Sequence, residues 1–359
     1  MRGLSSVNDV SNNLYDCVPK RISWIRWNAH KRRNQMPVWR IGWLIFLWGM
    51  AGCQRGENVL TVVLNPVNPA VVYVGTTGGG FYKSVDAGAT FTRRTAGLSR
   101  YNISAIVVNP VLPTLLFAGT YGDRIYRSID GGAHWMPLPV GLDDNVGTQA
   151  VNALVIPPHQ PEALYAATNH GVYKSTDNGG EWKGMNLGVG NRFGIALVLH
   201  PGDHRILAVG TNRGIYVSWD AAVTWRPAVP ETKAWAVNSL IFDPRGEVVA
   251  GTDQGVLRLN LTENPIRWQT QNTGLTSSFI VALSADAQSP DTLYAGHRDG
   301  IDMTVDGARS WRRLPQSPRA VTAIAIDPRN GAVLYAGTAA GLYQSRDHGE
   351  HWTPLALNP

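Results

Sequence analysis

Short runs of alternating aliphatic and polar residues, separated by Gly, Pro and Asn, recur along most of the chain. A clear copy lies near the C-terminus, where three such runs cover residues 321–326, 334–338 and 341–345 and a fourth follows Trp352. Period-two alternation bounded by turn-forming residues is typical of β-strands. This part of the sequence therefore predicts four short strands in succession.

An aromatic residue recurs through the same part of the chain at intervals of 41 to 47 residues. The seven aromatics are Phe91, Trp135, Trp182, Trp225, Trp268, Trp311 and Trp352. Self-similarity at such a period indicates a repeat architecture with one supersecondary unit per repeat. Seven repeats of four strands predict an all-β, seven-bladed β-propeller with four antiparallel strands per blade, whose radial arrangement protects the strand edges.

The repeats define a predicted domain of residues 59–359. The blades are expected at residues 59–98, 99–142, 143–189, 190–232, 233–275, 276–318 and 319–359. The first repeat begins with its own inner strand, so we expect the ring to close by contact between blades and without a borrowed strand. Both cysteines, Cys17 and Cys53, precede the repeats, and no disulfide is expected to link the blades.

Each aromatic follows a short acidic motif. An aspartate lies five residues before six of them, with Ser or Thr two residues earlier: Asp86, Asp130, Asp177, Asp220, Asp306 and Asp347. These fragments resemble the Asp-box, or BNR repeat, Ser-x-Asp-x-Gly-x-Thr-Trp. The short hydroxyl and carboxylate side chains can accept hydrogen bonds from the backbone of their own turn. We expect each motif to fasten the hairpin between the third and fourth strands.

The box residues are interpreted as structural, neither catalytic nor metal-binding. Each aromatic is expected to enter the core between blades, where burying 150–250 Å² contributes on the order of 4–6 kcal/mol before entropy is considered. The fifth repeat departs from the pattern: counted back from Trp268, Leu261 replaces Ser, Glu263 replaces Asp and Pro265 replaces Gly. Its turn must therefore be built differently.

A leader precedes the repeats. Residues 36–53 contain Arg40, an apolar run of 41–48 and small residues before Cys53, which together resemble a bacterial lipoprotein signal. The apolar run is too short for the roughly 20 residues of a membrane-spanning helix. The resemblance implies cleavage, acylation of Cys53 and a membrane-anchored protein on the periplasmic or cell-surface side. Residues 54–58 would be a short tether, and residues 1–35 an extension ahead of the true start or a disordered segment.

Charge argues against nucleic acid as a partner. The chain has a net charge of +6, but residues 1–53 hold eight of the 32 basic and two of the 26 acidic side chains, which leaves 24 of each in the remainder. Without a basic excess, counterion release cannot drive binding to a phosphate backbone.

Ligand-binding residues of a propeller usually lie on the loops between strands two and three and between successive blades. The candidates on these loops, here called the mouth, are Tyr121, Asp123, Arg124, Asn169, His170, Arg192, Arg213, Trp235, His297, Arg298 and Asp299. Their mixture of Arg, Asp, His and aromatic side chains suits a protein partner or a polar ligand such as a glycan. No cofactor, metal site or catalytic residue is predicted.

The Asp-box propellers that this chain resembles include sialidases, xyloglucan-degrading glycosidases, sortilin-type receptors and photosystem II stability and assembly factors. A glycosidase needs two carboxylates about 5–10 Å apart. Candidates are Asp123, Asp143, Asp144, Asp253 and Asp299, but nothing singles out a pair, and the Phe/Tyr-Arg-Ile-Pro motif of sialidases is absent. We interpret the chain as a monomeric, membrane-anchored, non-catalytic propeller that binds protein or glycan, with a glycoside hydrolase as the alternative.

Overall fold

The computed structural model describes residues 57–122, 124–139, 150–189, 193–228, 235–263 and 266–357. The leader with Cys53 lies outside the described residues, as do Asp123, Asp143, Asp144 and Arg192. Within the described ranges, no helix is long and apolar enough to cross a membrane.

Seven four-stranded sheets make up the described structure. Blade 1 contains β1 (Val59–Leu64), β2 (Val72–Thr76), β3 (Phe81–Ser84) and β4 (Thr92–Arg93); blade 2 contains β5 (Ile103–Val108), β6 (Leu116–Thr120), β7 (Ile125–Ser128) and β8 (Met136–Pro137). Blade 3 contains β9 (Val151–Val155), β10 (Leu164–Thr168), β11 (Gly171–Ser175) and β12 (Lys183–Gly184); blade 4 contains β13 (Gly194–Leu199), β14 (Leu207–Thr211), β15 (Gly214–Ser218) and β16 (Arg226–Pro227). Blade 5 contains β17 (Val237–Phe242), β18 (Val248–Thr252), β19 (Gly255–Asn260) and β20 (Arg267–Thr270). Blade 6 contains β21 (Ile280–Ala285), β22 (Leu293–His297), β23 (Gly300–Thr304) and β24 (Arg312–Arg313); blade 7 contains β25 (Val321–Asp327), β26 (Asn330–Thr338), β27 (Gly341–Ser345) and β28 (Thr353–Leu355).

The sheets form a closed ring. Each is an antiparallel meander of four consecutive strands, and the first strand of each blade contacts the first strand of the next, including β25 against β1. The all-β, seven-bladed propeller predicted from the repeats is thus confirmed. At the closure, the Thr322 hydroxyl donates to the Val59 carbonyl at 2.6 Å, as the Ser104 hydroxyl donates to the Val151 carbonyl at 2.6 Å. The ring closes with the same contact that joins other blades.

Neighbouring blades fit together through matched side-chain sizes. Six second strands carry a glycine whose missing Cβ leaves space for the β-branched first residue of the next blade. A Cβ added to Gly210, for example, would lie 2.5 Å from a methyl group of Val237. Between blades 3 and 4 the sizes are exchanged, with Ala167 on the second strand facing Gly194 on the first. Close packing leaves no room for a bulky residue on both sides.

The turn before β4 shows how the acidic motif works. The Ser84 hydroxyl donates to Asp86 Oδ1 at 2.7 Å and accepts the Gly88 backbone N–H at 2.9 Å, while Asp86 accepts the backbone N–H and hydroxyl of Thr90 at 2.9 and 2.6 Å. Ala87 and Gly88 both have left-handed backbones, with φ of 54° and 86°. The two side chains therefore replace backbone partners that this tight turn does not provide.

The same turns also join neighbouring blades. The carbonyl of the first left-handed residue accepts a hydrogen bond from the preceding blade: Ala87 O from the Tyr335 hydroxyl at 2.9 Å and Gly131 O from Lys83 Nζ at 2.8 Å. In blade 6, Gly307 O accepts from Arg258 Nη1 at 2.8 Å. At three junctions the donor is a second-strand tyrosine, namely Tyr165, Tyr294 or Tyr335, whereas Lys83 and Arg258 donate from third strands, so the sequence marks this contact only in part.

The seven aromatics do not behave alike. Trp135, Trp225 and Trp311 are 2–5% exposed, and the indole N–H of each donates to a carbonyl of the preceding blade at 2.7–3.2 Å. Trp182 and Trp352 are half-buried, and their indoles donate to carbonyls of their own turns at 3.1 and 2.9 Å. Trp268 is half-buried too.

Full burial of the aromatic, expected for every blade, is thus found for Phe91, Trp135, Trp225 and Trp311 only. The three buried tryptophans share a feature of the linkers. Those before blades 2, 4 and 6 carry a left-handed glycine, Gly97, Gly188 or Gly274, packed against the carbonyl of the buried tryptophan.

The fifth turn corrects part of the sequence interpretation. Leu259 pairs with Val248 as Ser84 pairs with Val72, so Leu259 occupies the serine position and the hairpin is two residues longer than in other blades. The assignment of Leu261 and Glu263 to the serine and aspartate positions was therefore wrong by two residues. Leu259 is fully buried, and Asn260 Oδ1 accepts the backbone N–H of Thr262 at 2.9 Å instead.

Acid should weaken the propeller through these turns. Hydrogen bonds from the Thr90 hydroxyl and N–H lower the pKa of Asp86 to about 2; the Ser310 hydroxyl does so at Asp306 and the His351 N–H at Asp347, again to about 2. Because these pKa values lie below the ordinary 3.8, the stabilisation is present above about pH 4 and is lost as pH falls towards 2.

We expect the free energy of unfolding to fall over that range in urea titrations at successive pH values. Near pH 3, unfolding of the triple variant D86N, D306N, D347N should take up about two fewer protons than unfolding of the parent. The free energy of unfolding of the variant should therefore depend less steeply on pH. An unchanged slope in the triple variant would contradict this account.

Candidate functional site

The mouth includes one turn per blade, between the second and third strands. In six blades the second strand ends in a buried threonine whose hydroxyl donates to a carbonyl three or four residues later, as Thr168 does to Gly171 O at 3.1 Å. The same oxygen accepts the His170 backbone N–H at 3.1 Å. This contact fixes the tight turn and presents the two turn residues to solvent.

The structure places the described candidates on this face. His170, Arg213, Arg298 and Asp299 are exposed at the tips of the turns, whereas Tyr121, Arg124 and Asn169 are half-buried. Burial raises the pKa of Tyr121. Asn169 Oδ1 accepts the Ala150 backbone N–H at 3.1 Å and so ties its turn to the first strand. Asp123 and Arg192 lie outside the described residues.

Trp235 is not a free aromatic platform. It is half-buried and packs edge-to-face against Trp268, with ring centroids 5.9 Å apart and planes at 89°. Edge-to-face pairing of this kind is favourable in itself. Trp235 therefore contributes to the packing of blade 5.

Blade 6 departs from the repeat at the last residue of its second strand, which is threonine in the other six blades. His297 ends β22 in that position and is fully buried. Its Nδ1 accepts the Asp299 backbone N–H at 3.2 Å, the role that the threonine oxygen plays elsewhere. With Nδ1 as acceptor, the proton of a neutral imidazole is assigned to Nε2, which lies 3.3 Å from Asp302 Oδ2.

A second departure supplies the carboxylate. Asp302 lies in β23 at the register position that holds Tyr82, Tyr126, Tyr173, Tyr216 and Tyr343 in five other blades. It is fully buried, and the backbone N–H and hydroxyl of Thr276 both donate to it at 2.7 Å. Burial raises the pKa of Asp302, but the hydrogen bonds from His297 and Thr276 outweigh burial and leave the pKa below its usual value.

Arg313 connects this buried pair to the surface. Its Nη1 donates to the Thr276 hydroxyl at 3.4 Å and lies 3.9 Å from Asp302 Oδ1, and its Nη2 donates to the Asp299 carbonyl. The side chain is 31% exposed. On its buried side, the guanidinium is thus held by the Asp302 carboxylate and the Asp299 carbonyl. The rest of the group faces solvent. Such a group suits the recognition of a carboxylate or another oxygen-rich ligand group.

Sequence reasoning identified only one member of this cluster. His297 was a mouth candidate, whereas Thr276, Asp302 and Arg313 were missed. The available signal was a break in the repeat: Gly300-Ile-Asp302 stands where other blades have Tyr two residues before the box serine. An ionisable residue at a position that the repeat reserves for a buried tyrosine needs dedicated partners, and a search for such exceptions would have found it.

Blade 1 carries a different polar group on the same face. Glu57 accepts hydrogen bonds from the Thr76 hydroxyl at 2.9 Å and the Tyr82 hydroxyl at 2.6 Å. Arg93 Nε donates to the Gly79 carbonyl at 2.6 Å, and the guanidinium lies 5.1 Å from the Tyr101 ring centre. Glu57 and Asp302 are thus each engaged by groups of their own blade or linker.

Two further observations concern the chemistry of the mouth. Asp253 Oδ1 is buried and has no hydrogen-bond partner among the described residues. No cluster of three or more His, Cys, Asp or Glu side chains suited to a metal ion occurs in the described ranges. The described part of the mouth therefore presents hydrogen-bonding and ion-pairing groups on one face of the propeller.

Comparison with known proteins supports the fold. No family model matches the chain. An oligoxyloglucan-reducing end-specific xyloglucanase of Emericella nidulans is 31% identical over 86 residues, which is 21% of this chain and 11% of that protein. The chain thus matches a small part of this relative's length.

Solved propellers align over most of the chain. The GH74 xyloglucanase from Xanthomonas campestris superposes with a TM-score of 0.67 at 20% identity over 83% of this chain, but over only 53% of its own length. YCF48 bound to D1 peptide superposes with a TM-score of 0.63 at 12% identity over 82% of this chain and 95% of its own. At these identities the likeness shows the seven-bladed propeller fold.

Proposed function

We propose that the chain is a non-catalytic binding propeller whose mouth recognises an extended polypeptide segment. The observation that carries the proposal is the blade 6 cluster of His297, Asp302 and Arg313, where the repeat is broken to fix one partly exposed guanidinium. A planar guanidinium can bind a carboxylate through two parallel hydrogen bonds, so an acidic side chain or a chain terminus fits the site.

The comparisons support a polypeptide as ligand. YCF48, a propeller that this chain matches over 95% of that protein's length, has been solved with D1 peptide, so a ring of this size suffices to bind a peptide. The proposal includes export and acylation of Cys53, because the lipobox-like segment would place the ring beside a membrane where such a partner could be embedded or anchored.

A glycoside hydrolase is the second candidate. The local identity to an oligoxyloglucan-reducing end-specific xyloglucanase and the superposition on a GH74 xyloglucanase favour it. Against it, the described carboxylates Glu57 and Asp302 are both engaged in hydrogen bonds with neighbouring residues of the chain. Asp253, whose Oδ1 has no hydrogen-bond partner in the part of the chain that the structure describes, is the carboxylate to test.

The test is affinity capture from detergent-solubilised membranes of the source cells. Arg313→Thr installs the residue found at this register position in blade 5, Thr270, and should retain the fold. We expect it to lower partner recovery about tenfold, the loss of one good ion pair. The matched control is Arg346→Thr, an exposed arginine beside a box aspartate, which should bind like the parent.

Two results would contradict the proposal. One is equal recovery with Arg313→Thr and the parent. The other is hydrolysis of oligoxyloglucan by the purified protein that disappears in Asp253→Asn, which would favour the glycosidase.

A further inference from the structure

A pocket of about 220 Å³ lies between blades 4 and 5, away from the mouth. We call it the rim pocket; its walls include His200, Trp219, Arg245, Glu247, Asn260 and Thr262. These residues follow the ends of first and third strands, whereas the mouth lies at the ends of second strands, so the pocket opens on the opposite face. We propose that the rim pocket binds one sugar ring of a neutral glycan.

The pocket exists because the fifth turn differs from the others. Asn260 and Thr262 belong to the hairpin that is two residues longer and lacks the serine and aspartate of the box. Trp219 is the residue between serine and aspartate in the box of blade 4 and is 37% exposed. The same position holds Val85, Ile129, Thr176, Val305 and Arg346 in other blades. An indole on a solvent-accessible wall is therefore specific to this junction.

His200 contributes a fixed donor. Its Nδ1 accepts the backbone N–H groups of Gly202 and Asp203, both at 3.0 Å, so the proton of the neutral ring is assigned to Nε2. The ring packs edge-to-face on Phe242, 5.1 Å away. Nε2 faces Gly246, where an added Cβ would lie only 2.3 Å from it, and makes no hydrogen bond within the described ranges.

The remaining polar groups combine donors with acceptors. Asn260 uses Oδ1 for its own turn, which leaves the amide N–H groups to donate. Glu247 accepts from Arg258 through Oε2, and Oε1 remains as an acceptor. Arg245 pairs with Asp291, so the pocket holds no unbalanced charge from this arginine. Paired charges of both signs favour a neutral ligand over an ionic one.

A pyranose ring matches this arrangement. Its C–H face carries slight positive charge and stacks on the negative face of an indole, while its hydroxyls both donate and accept around the rim. A peptide side chain would use either an apolar wall or a single charge and would leave most of these groups unpaired. The volume lies below the 300–1,000 Å³ of sites for drug-sized ligands, so it suits a single terminal or branching sugar.

The test uses cellotetraose and a xylose- and galactose-bearing oligoxyloglucan, titrated into the full chain by calorimetry and followed by tryptophan fluorescence. We expect at least one to bind, and Trp219→Val to weaken binding by about tenfold or more. Valine occupies this position in two sibling blades, so the variant should fold. Ile129→Val is the matched control at the same position of blade 2 and should bind like the parent.

Three results would overturn the inference. They are no binding of either saccharide up to about 10 mM, undiminished binding by Trp219→Val, and Trp219-dependent binding of a captured partner's peptide in place of saccharide. Because Arg313→Thr changes only the mouth, it should leave saccharide affinity unchanged, so the rim pocket and the proposed mouth function can fail separately.

Discussion

Gly97→Ala should destabilise the propeller by about 4 kcal/mol or more, enough to consume much of the stability of a typical domain. Gly97 has a φ of 89° and lies in the linker to blade 2, where an added Cβ would be 1.9 Å from the Trp135 carbonyl oxygen. That oxygen is backbone and cannot rotate away. The linker would have to move, and with it the hydrogen bond from the Trp135 N–H to the Ala96 carbonyl at 2.8 Å.

Gly78→Ala is the matched control for this prediction. Gly78 also has a left-handed backbone, with φ of 86°, but an added Cβ would meet nothing within 4 Å. It should therefore lose only the conformational preference of glycine, about 1–2 kcal/mol. Urea unfolding of both variants separates the two costs, and equal losses would show that contact with blade 2 is unimportant.

The architecture could be predicted because each blade repeats the same local signals. Strand alternation, seven aromatics at a fixed period and six aspartates in phase all indicate the same unit, so errors in one repeat are corrected by the others. The fifth turn shows the limit of this reasoning. Counting back from Trp268 misplaced the serine position because two extra residues in a hairpin change no hydrophobic pattern, and only the pairing of Leu259 with Val248 reveals them.

The candidate site was harder to predict because its members are far apart in the sequence. Thr276 lies in a linker, His297 at a strand end, Asp302 within β23 and Arg313 in β24, and strand pairing brings them together. Loop position alone identified exposed residues such as Arg298 but could not show which arginine is supported by a buried carboxylate. For a repeat protein, the more informative signal is a residue that breaks the pattern its siblings share.

Gly194→Val should destabilise the propeller by about 3 kcal/mol, and Ala167→Gly should rescue it. A Cβ on Gly194 would already lie 3.2 Å from the Ala167 Cβ and 3.3 Å from the Thr168 carbonyl oxygen, so the methyls of valine would overlap the alanine. Removing the Ala167 methyl recreates the arrangement of the next junction, where Gly210 faces Val237.

The single variant Ala167→Gly should cost about 1–2 kcal/mol, since it removes a buried methyl and places glycine in a strand. The double variant should lose no more than about 1 kcal/mol relative to the parent, which corresponds to a coupling free energy of about 3–5 kcal/mol in a double-mutant cycle measured by urea unfolding. Additive losses would mean that the exchanged sizes at this junction are coincidental. Strong coupling would show that each junction requires one small residue and one β-branched residue facing each other. Either strand can carry either residue, so the sequence of a blade can change while the ring stays closed.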